Sequence, residues 1–377
     1  VRWLPTQYHV RDSPGNASNR LSWLLIFPVL GFAGFLGWMW WSQEKPQKTQ
    51  LLHPPKQTSI PNQTHSPSPP PPPVSRRSVI PAPLRTLTPP LIACPKPDVL
   101  AVQIALDRLG YSSGSIDGRP GFQTRSALRA FQLQAGLPAT GELDAATEMR
   151  LPLNDAAFAT WTVTSNNLAR LQPMTKTWLE KSRQSALDYE TILELVAEEN
   201  HAHPALIRRL NPGVTWSNIP AGTLLQAPKV TRPDPVEKAA FVEIRLSDKT
   251  LEAFGTETNL LAHFPCSIAQ RVEKRPEGQL HVAAVAPHPN YTFAPDLFPE
   301  SPEARQLKTK LVLPAGPNNP VGTVWIGLDR PGYGIHGTPR PEDVGRTESH
   351  GCFRLANWNV EYLLKLVWVG MPVRVLP

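Results

Sequence analysis

Between Leu21 and Trp41 the chain reads LSWLLIFPVLGFAGFLGWMWW, without one charged side chain. Few features constrain a fold as strongly. An apolar run of this length matches a bilayer core of ~30 Å at about 1.5 Å per helical residue. Backbone polar groups in lipid must be satisfied internally, so a single helix is expected here. Trp38, Trp40 and Trp41 gather at one end, where indole rings favour the interface. Arg2, Arg11 and Arg20 precede the run against one acid, Asp12. The positive-inside bias then predicts a cytoplasmic segment 1–20, an uncleaved single-pass anchor 21–41, and the rest of the chain outside the cell membrane. No small-x-small cleavage site follows closely. Leu91-Ile92-Ala93-Cys94 matches a lipoprotein cleavage box, but it lies too far along the chain for a peptidase working at the membrane surface.

Residues 42–97 read as a proline-rich linker. The chain holds 44 prolines, and this stretch includes SPSPPPPPVSRR and PAPLRTLTPP. Such a segment buries too little to offset its ordering entropy. Proline biases it toward polyproline II, which at ~3.1 Å per residue could reach on the order of 150 Å. The formal charge of +7 suits an anionic polymer or membrane surface. No motif interleaves aromatic and basic residues, so nucleic acid is not an expected partner. Three cysteines, Cys94, Cys266 and Cys352, match no zinc spacing and no disulfide framework. An odd number leaves at least one thiol free, with Cys94 either a plain linker thiol or a partner for Cys266.

Residues 98–153 carry helical periodicity. Asp98 is placed to cap a helix whose face is Val99, Val102, Leu106 and Leu109, ending at Gly110. A turn-rich loop, YSSGSIDGRPG, follows. A second helix is expected from Thr124, with Ala127, Leu128 and Phe131 inward, and LDAATEMRL makes a short third. The pieces Leu109-Gly110-Tyr111, Ile116-Asp117-Gly118, Gly121, Thr124, Ala127-Leu128, Phe131-Gln132 and Thr140-Gly141 resemble the peptidoglycan-binding-domain family. The resemblance implies a three-helix fold and a cell-wall ligand.

Residues 160–230 run from a strand-like WTVT through two short amphipathic helices to LNP and a closing AGTLLQAP. This α+β pattern resembles a LysM module, a class that binds N-acetylglucosamine polymers, stretched between Leu168 and Tyr189. His201 and His203 lack further spaced ligands and read as a solvated helix end.

From Ala239 the period changes to two: Val242, Ile244 and Leu246 alternate with Glu243 and Arg245. LLAHFPCSIAQ, LHVAAVA, VGTVWIGL, YGIHG and MPVRVLP are further extended runs. Residues 239–377 are therefore expected to be an all-β sandwich or barrel with long loops. Near its end lie His336-Gly337 and Ser349-His350-Gly351-Cys352-Phe353-Arg354. A thiol with a solution pKa of ~8.5 needs a base to become the nucleophilic thiolate, and an imidazole can supply it. A cationic Arg354 would favour the anion, and N–H groups around Gly351 and Cys352 could face an oxyanion. The residue types alone also fit a buried core thiol, or a zinc site of His336, His350 and Cys352. Asn357 is placed to cap a helix whose Val360, Leu363, Leu364 and Val367 pack on the sheet.

The compound pattern His336-Gly337, then Ser349-His350-Gly351-Cys352 and Arg354, resembles the L,D-transpeptidase catalytic domain, and the likeness extends upstream through NPVGTVWIGL and HPNYTF. One departure is Arg275-Pro276-Glu277-Gly278, where many members have a TPxG step. The resemblance implies a cysteine acyl-enzyme that builds cell-wall cross-links, at the periplasmic or wall side of the membrane. Cys352 would attack a tetrapeptide stem at its L-centre and release D-alanine. His336 would serve as base and then acid, oriented by the Gly337 carbonyl. His350 and Gly351 would shape the oxyanion pocket, and Ser349 and Arg354 would complete the catalytic motif. A second stem's amine would resolve the acyl-enzyme. No metal or organic cofactor is implied, and a carbapenem is an expected acylating inhibitor. The same thiol would equally serve an L,D-carboxypeptidase or endopeptidase, and a non-catalytic wall-binding protein is the alternative of another class. The loop from Pro287 to Pro320 is a candidate lid. Tyr291 and Trp325 are candidate substrate contacts or core aromatics.

Overall fold

The computed structural model describes residues 98–298, 301–347, 349 and 351–377. The apolar run 21–41, the linker 42–97, Cys94 and His350 lie outside the described residues. Among the described residues, no helix is long and apolar enough to cross a membrane.

The first domain contains α1 (Val99–Arg108), α2 (Phe122–Gln134) and α3 (Ala145–Arg150). Asp98 caps α1 by accepting from the Leu100 N–H at 3.3 Å. Helix α2 begins at Phe122, two residues before the expected Thr124, because Gly121 takes the extended cap position. Leu106, Ala127, Leu128 and Phe131 form the core. Two buried glutamines explain why the recurring residues of this module are spaced as they are. Gln103 Oε1 accepts from the Asp117 and Gly118 N–H groups. Gln132 Oε1 accepts from Gly141 N–H at 2.8 Å, while its Nε2 donates to Thr140 and Thr147. Each glutamine satisfies a loop that could not otherwise be buried.

The second domain opens with β1 (Phe158–Thr162) and closes with β2 (Leu224–Pro228), paired antiparallel. Between them lie α4 (Ser165–Arg170), α5 (Trp178–Arg183), α6 (Ile192–Glu199) and α7 (Pro204–Leu210). The expected strand pair is present, but four helices replace two. The extra length is not slack: Thr164 and Thr177 each build a capping box at the start of α4 and α5. The reading of His201 as solvated is corrected by its surroundings. Its Nδ1 donates at 2.7 Å to the fully buried Asp107 carboxylate, and the ring stacks on Trp358 at 5.2 Å. Arg232 completes the junction on Asp107. Burial raises the Asp107 carboxyl, but the charges of Arg232 and His201 prevail and hold it below its ordinary value. His203 caps α7, accepting from the Ala205 N–H.

The third domain contains β3 (Phe241–Arg245), β4 (Thr250–Phe254), β5 (Leu260–Pro265), β6 (Gly278–Pro287), β7 (Tyr291–Phe293), α8 (Pro302–Gln306), β8 (Leu311–Leu313), β9 (Val324–Leu328), β10 (Gly334–His336), β11 (Phe353–Arg354), α9 (Asn357–Leu366) and β12 (Pro372–Leu376). Eight strands form one sheet in the order β11-β10-β9-β6-β12-β3-β4-β5. The sheet curls until its ends meet. Just past β5, Ser267 exchanges both backbone hydrogen bonds with Arg354 of β11, each at 2.9 Å. Residues alternating inward, with Phe264, Ile326, Ile335 and Phe353 almost fully buried, fill the curl beneath Val360 and Leu363 of α9. Cys266 is part of this core and wholly buried. Strands β7 and β8 form a separate hairpin within the candidate lid. The first domain continues the sheet edge: Ser112 N–H donates to His263 O at 2.8 Å, and His263 N–H to Gly110 O at 3.0 Å.

Candidate active site

Strands β10 and β11 are short, parallel neighbours, with Ile335 opposite Phe353 and His336 opposite Arg354. Side chains alternate along a strand, so His336 and Arg354 share one face while Ile335 and Phe353 fill the core on the other. Cys352 immediately precedes β11, two residues before Arg354. The parallel register, invisible in a linear reading, sets His336 opposite Arg354, two residues past Cys352.

His336 is 6% exposed. Its Nδ1 lies 2.6 Å from the Gly337 carbonyl oxygen. A carbonyl can only accept, so Nδ1 carries the proton and Nε2 keeps its lone pair. Burial pushes the imidazole down to about 4, the Gly337 bond opposes this, and the Arg354 charge adds to it. Burial also pushes the Cys352 thiol up, offset in part by a bond from the Gly334 backbone. The thiol donates to Gly332 O at 3.5 Å. Both shifts favour a neutral resting pair, thiol and imidazole, rather than a standing ion pair. With Nε2 unprotonated, the imidazole is able to accept a proton. Arg354 was expected to favour the thiolate; its charge instead bears on His336 and Cys266, and its Nη2 donates to Thr347 at 3.2 Å.

The nucleophile segment is stitched to residues 267–270. Ser349 N–H donates to Ile268 O at 2.8 Å, and Gln270 N–H to Ser349 O at 2.9 Å. Ser349 Oγ donates to Cys352 O at 2.5 Å and accepts from Gly351 N–H at 3.3 Å. The Gly351 amide, expected at an oxyanion, thus has a partner within its own loop. Among the described residues, no group of three His, Cys, Asp or Glu is placed to hold a metal ion.

Trp325 on β9 pairs with His336, and their rings stack at 5.6 Å and 22°. The indole also lies over Gly334: a Cβ there would fall 2.6 Å from the ring. Only a residue without a side chain at 334 lets Trp325 lie flat over β10 against His336. Tyr291 is half-buried in the lid hairpin, and its phenol is raised by burial and by the charge of Cys352. Trp325 thus lies against His336, and Tyr291 is within electrostatic reach of Cys352.

What the sequence did not indicate is that the second domain reaches this site. Trp178 of α5 stacks on Phe293 at 4.3 Å and meets Tyr291 at 6.4 Å. Leu187 N–H donates to Ala315 O at 2.9 Å, and Leu187 O accepts from Asn318 N–H at 2.9 Å. The capping box at Thr177 was a legible sign that this insertion is a folded element and not a loose loop.

Residues 239–375 match the family model "L,D-transpeptidase catalytic domain", and residues 95–151 match "Putative peptidoglycan binding domain". The chain is 24% identical over 188 residues to "Putative L,D-transpeptidase YkuD" of Bacillus licheniformis, covering 50% of this chain and 94% of that protein. It is 29% identical over 194 residues to "Probable L,D-transpeptidase YbiS" of Escherichia coli, covering 48% of this chain and 59% of that one. Among solved structures, L,D-transpeptidase 3 of Mycobacterium tuberculosis in complex with a faropenem-derived adduct matches at 16% identity and a TM-score of 0.30, over 42% of this chain and 76% of that one. The C-terminal region of this chain belongs to the YkuD-type L,D-transpeptidase catalytic domains, joined on its N-terminal side to a domain of the peptidoglycan-binding family.

Proposed function

We propose that this chain is a peptidoglycan L,D-transpeptidase in which Cys352 carries the acyl group and His336 moves the proton. The observation that supports this reading most is the shared face of β10 and β11, with His336 held as the Nδ1–H tautomer by Gly337. In the first step the thiol attacks the donor carbonyl and its proton passes to Nε2. The tetrahedral centre collapses when Nε2 returns that proton to the leaving amine, and a thioester remains. In the second step the amine of another stem attacks the thioester, and His336 takes and returns a proton again. The neutral resting pair suits this cycle, since the imidazole is free to accept at the start of each step. Ser349 and Gly351 hold the nucleophile loop in shape rather than touching substrate. Tyr291 and Trp325 line the approach to the thiol. The peptidoglycan-binding domain would hold the wall close by, and the apolar run 21–41 would tether the chain to the membrane outside the cytoplasm.

The test is incubation of the purified chain with tetrapeptide muropeptides, followed by mass spectrometry. Cross-linked dimers that vanish in Cys352→Ser support transpeptidation. Tripeptides without dimers favour the carboxypeptidase reading, in which water resolves the same thioester. No Cys352-dependent product from any tetrapeptide stem overturns both. A carbapenem should add one mass adduct to wild type and none to Cys352→Ser.

A further inference from the structure

Asn357 was expected to cap its own helix. It does not; Ala356 holds the cap position, and the Asn357 side chain turns away into the protein. It is 1% exposed and all of its bonding capacity is used. Its Oδ1 accepts from the Thr323 N–H at 3.2 Å and the Thr338 N–H at 3.0 Å. Thr323 leads into β9, which bears Trp325, and Thr338 follows His336 and Gly337. The Gly337 backbone passes so close that a Cβ there would fall 2.1 Å from Asn357 Oδ1. The Nδ2 group donates to Pro317 O in the lid at 3.2 Å and to Glu198 Oε1 at 2.8 Å. Glu198 belongs to α6, in the second domain. It is 8% exposed and also accepts from the Tyr189 hydroxyl at 3.4 Å. Nearby, Asn318 of the lid donates to Asp188 O at 3.0 Å and to Glu194 at 2.5 Å.

A chain of contacts therefore runs from a carboxyl of the second domain, through one primary amide, to the backbone on either side of the catalytic histidine. Oδ1 of that amide must face the two N–H groups, and Nδ2 must face oxygens. Glu198 is the side chain that pins this orientation. A flipped or displaced Asn357 would leave the Thr338 N–H unpaired in the interior, and the Gly337 carbonyl that fixes His336 lies one residue before it.

We propose that Glu198 is a positioning residue for acyl transfer, acting through Asn357 to hold the Gly337–Thr338 backbone and with it the His336 imidazole. The proposal rests on the reading of Cys352 and His336 as the acyl-transfer pair. It makes the second domain part of the working active site and not a spacer between wall-binding and catalytic domains. Burial holds the Glu198 carboxyl up at about 8, Glu194 and Glu361 push the same way, and the bonds from Asn357 and Tyr189 pull it back. At neutral pH it is protonated, so it accepts from Asn357 without burying a charge. The cleft of about 400 Å³ beside it is lined also by Lys181, Glu190, Arg340 and Glu342.

The experiment uses the full chain as wild type, Glu198→Gln and Glu198→Met, with tetrapeptide turnover and melting temperature measured on each. Gln keeps an acceptor oxygen for Asn357, whereas Met fills the space without one. Misplacing a general base by a fraction of an ångström costs rate rather than binding, so E198M should lose kcat by about 10- to 100-fold with KM little changed. E198Q should restore kcat to near wild type. Should E198M destabilise the fold as well, the E198Q rescue still separates the acceptor oxygen from bulk. Wild-type kcat in E198M, or equal losses in both variants, overturns the proposal. A wild type with no Cys352-dependent turnover overturns the acyl-transfer reading itself, which the variants alone would not do.

Discussion

His336 donates through Nδ1 to the carbonyl of its own neighbour, Gly337, at 2.6 Å. A side-chain carboxylate in that place would stabilise the imidazolium by charge. A backbone carbonyl orients the ring but adds only a dipole, so burial dominates and the imidazole is held down to about 4. The sign follows from that depression. The folded state keeps His336 neutral between about 4 and its ordinary 6.5, whereas the unfolded chain protonates. The stability linked to this group is present above 6.5 and is lost as pH falls toward 4. Base function persists over the same window and fails only below it. A pH–rate profile for Cys352 acylation by a carbapenem should show its acid limb near 4; a limb near 6.5 would mean a solvated or charge-paired imidazole.

Gly334 gives a test of the Trp325 stack. A methyl at this position would meet the indole at 2.6 Å, and the ring has to leave the face of His336 to make room. Gly334→Ala is expected to cost about 1–3 kcal/mol through overpacking and to reduce kcat more than its stability loss accounts for. Trp325→Leu, which removes the ring without a clash, should reproduce the loss of kcat with a smaller fall in melting temperature. Unchanged turnover in both variants would show that the stack does not serve the reaction.

Trp178 tests the grip of the second domain on the lid. Its ring stacks on Phe293 and approaches Phe298 and Tyr291. Trp178→Ala should cost about 2 kcal/mol, less than the 3–5 of a fully buried aromatic, because Trp178 remains part-exposed. The effect should be local. Hydrogen exchange across the described parts of 288–320 should speed up while the eight-stranded sheet keeps its protection. Uniform loss of protection would argue that the lid has no separate stability.

Glu198 makes a stability prediction of the opposite sign to His336. Its carboxyl is raised from the ordinary 4.5 to about 8, so the folded state holds a proton that the unfolded chain releases. That contribution is fully present below 4.5 and is lost as pH rises through 8. Denaturant melts at pH 5 and pH 9 should show wild type losing stability relative to Glu198→Gln, which cannot ionise. Parallel pH curves for the two proteins would mean that Glu198 is already charged at neutral pH.

Much of the catalytic domain was legible because its cues are local. Val242, Ile244 and Leu246 point inward by simple alternation, and β3 forms where they lie. The helical domain was legible for the same reason, down to the Asp98 cap. The two strands that open and close the second domain were legible, while its insertion was not, because α5 packs on a lid more than a hundred residues away. His201 was misread because its partners, Asp107 and Trp358, come from the other two domains.

The sequence by itself singled out the atoms proposed to do the chemistry: one thiol and one imidazole in a spacing tied to a known domain, with the glycine that orients the ring directly beside it. His336 and Gly337 are covalent neighbours, and chain order is enough to relate those two. Only the tertiary structure decided the ionisation of the imidazole, through burial that keeps His336 neutral against the opposing pull of the Gly337 carbonyl bond. It also decided that Asn357 serves the loops around His336 instead of its own helix, and that Glu198 stands behind it. Desolvation and long-range hydrogen bonds depend on what surrounds a group in space, and no local pattern in the chain encodes that.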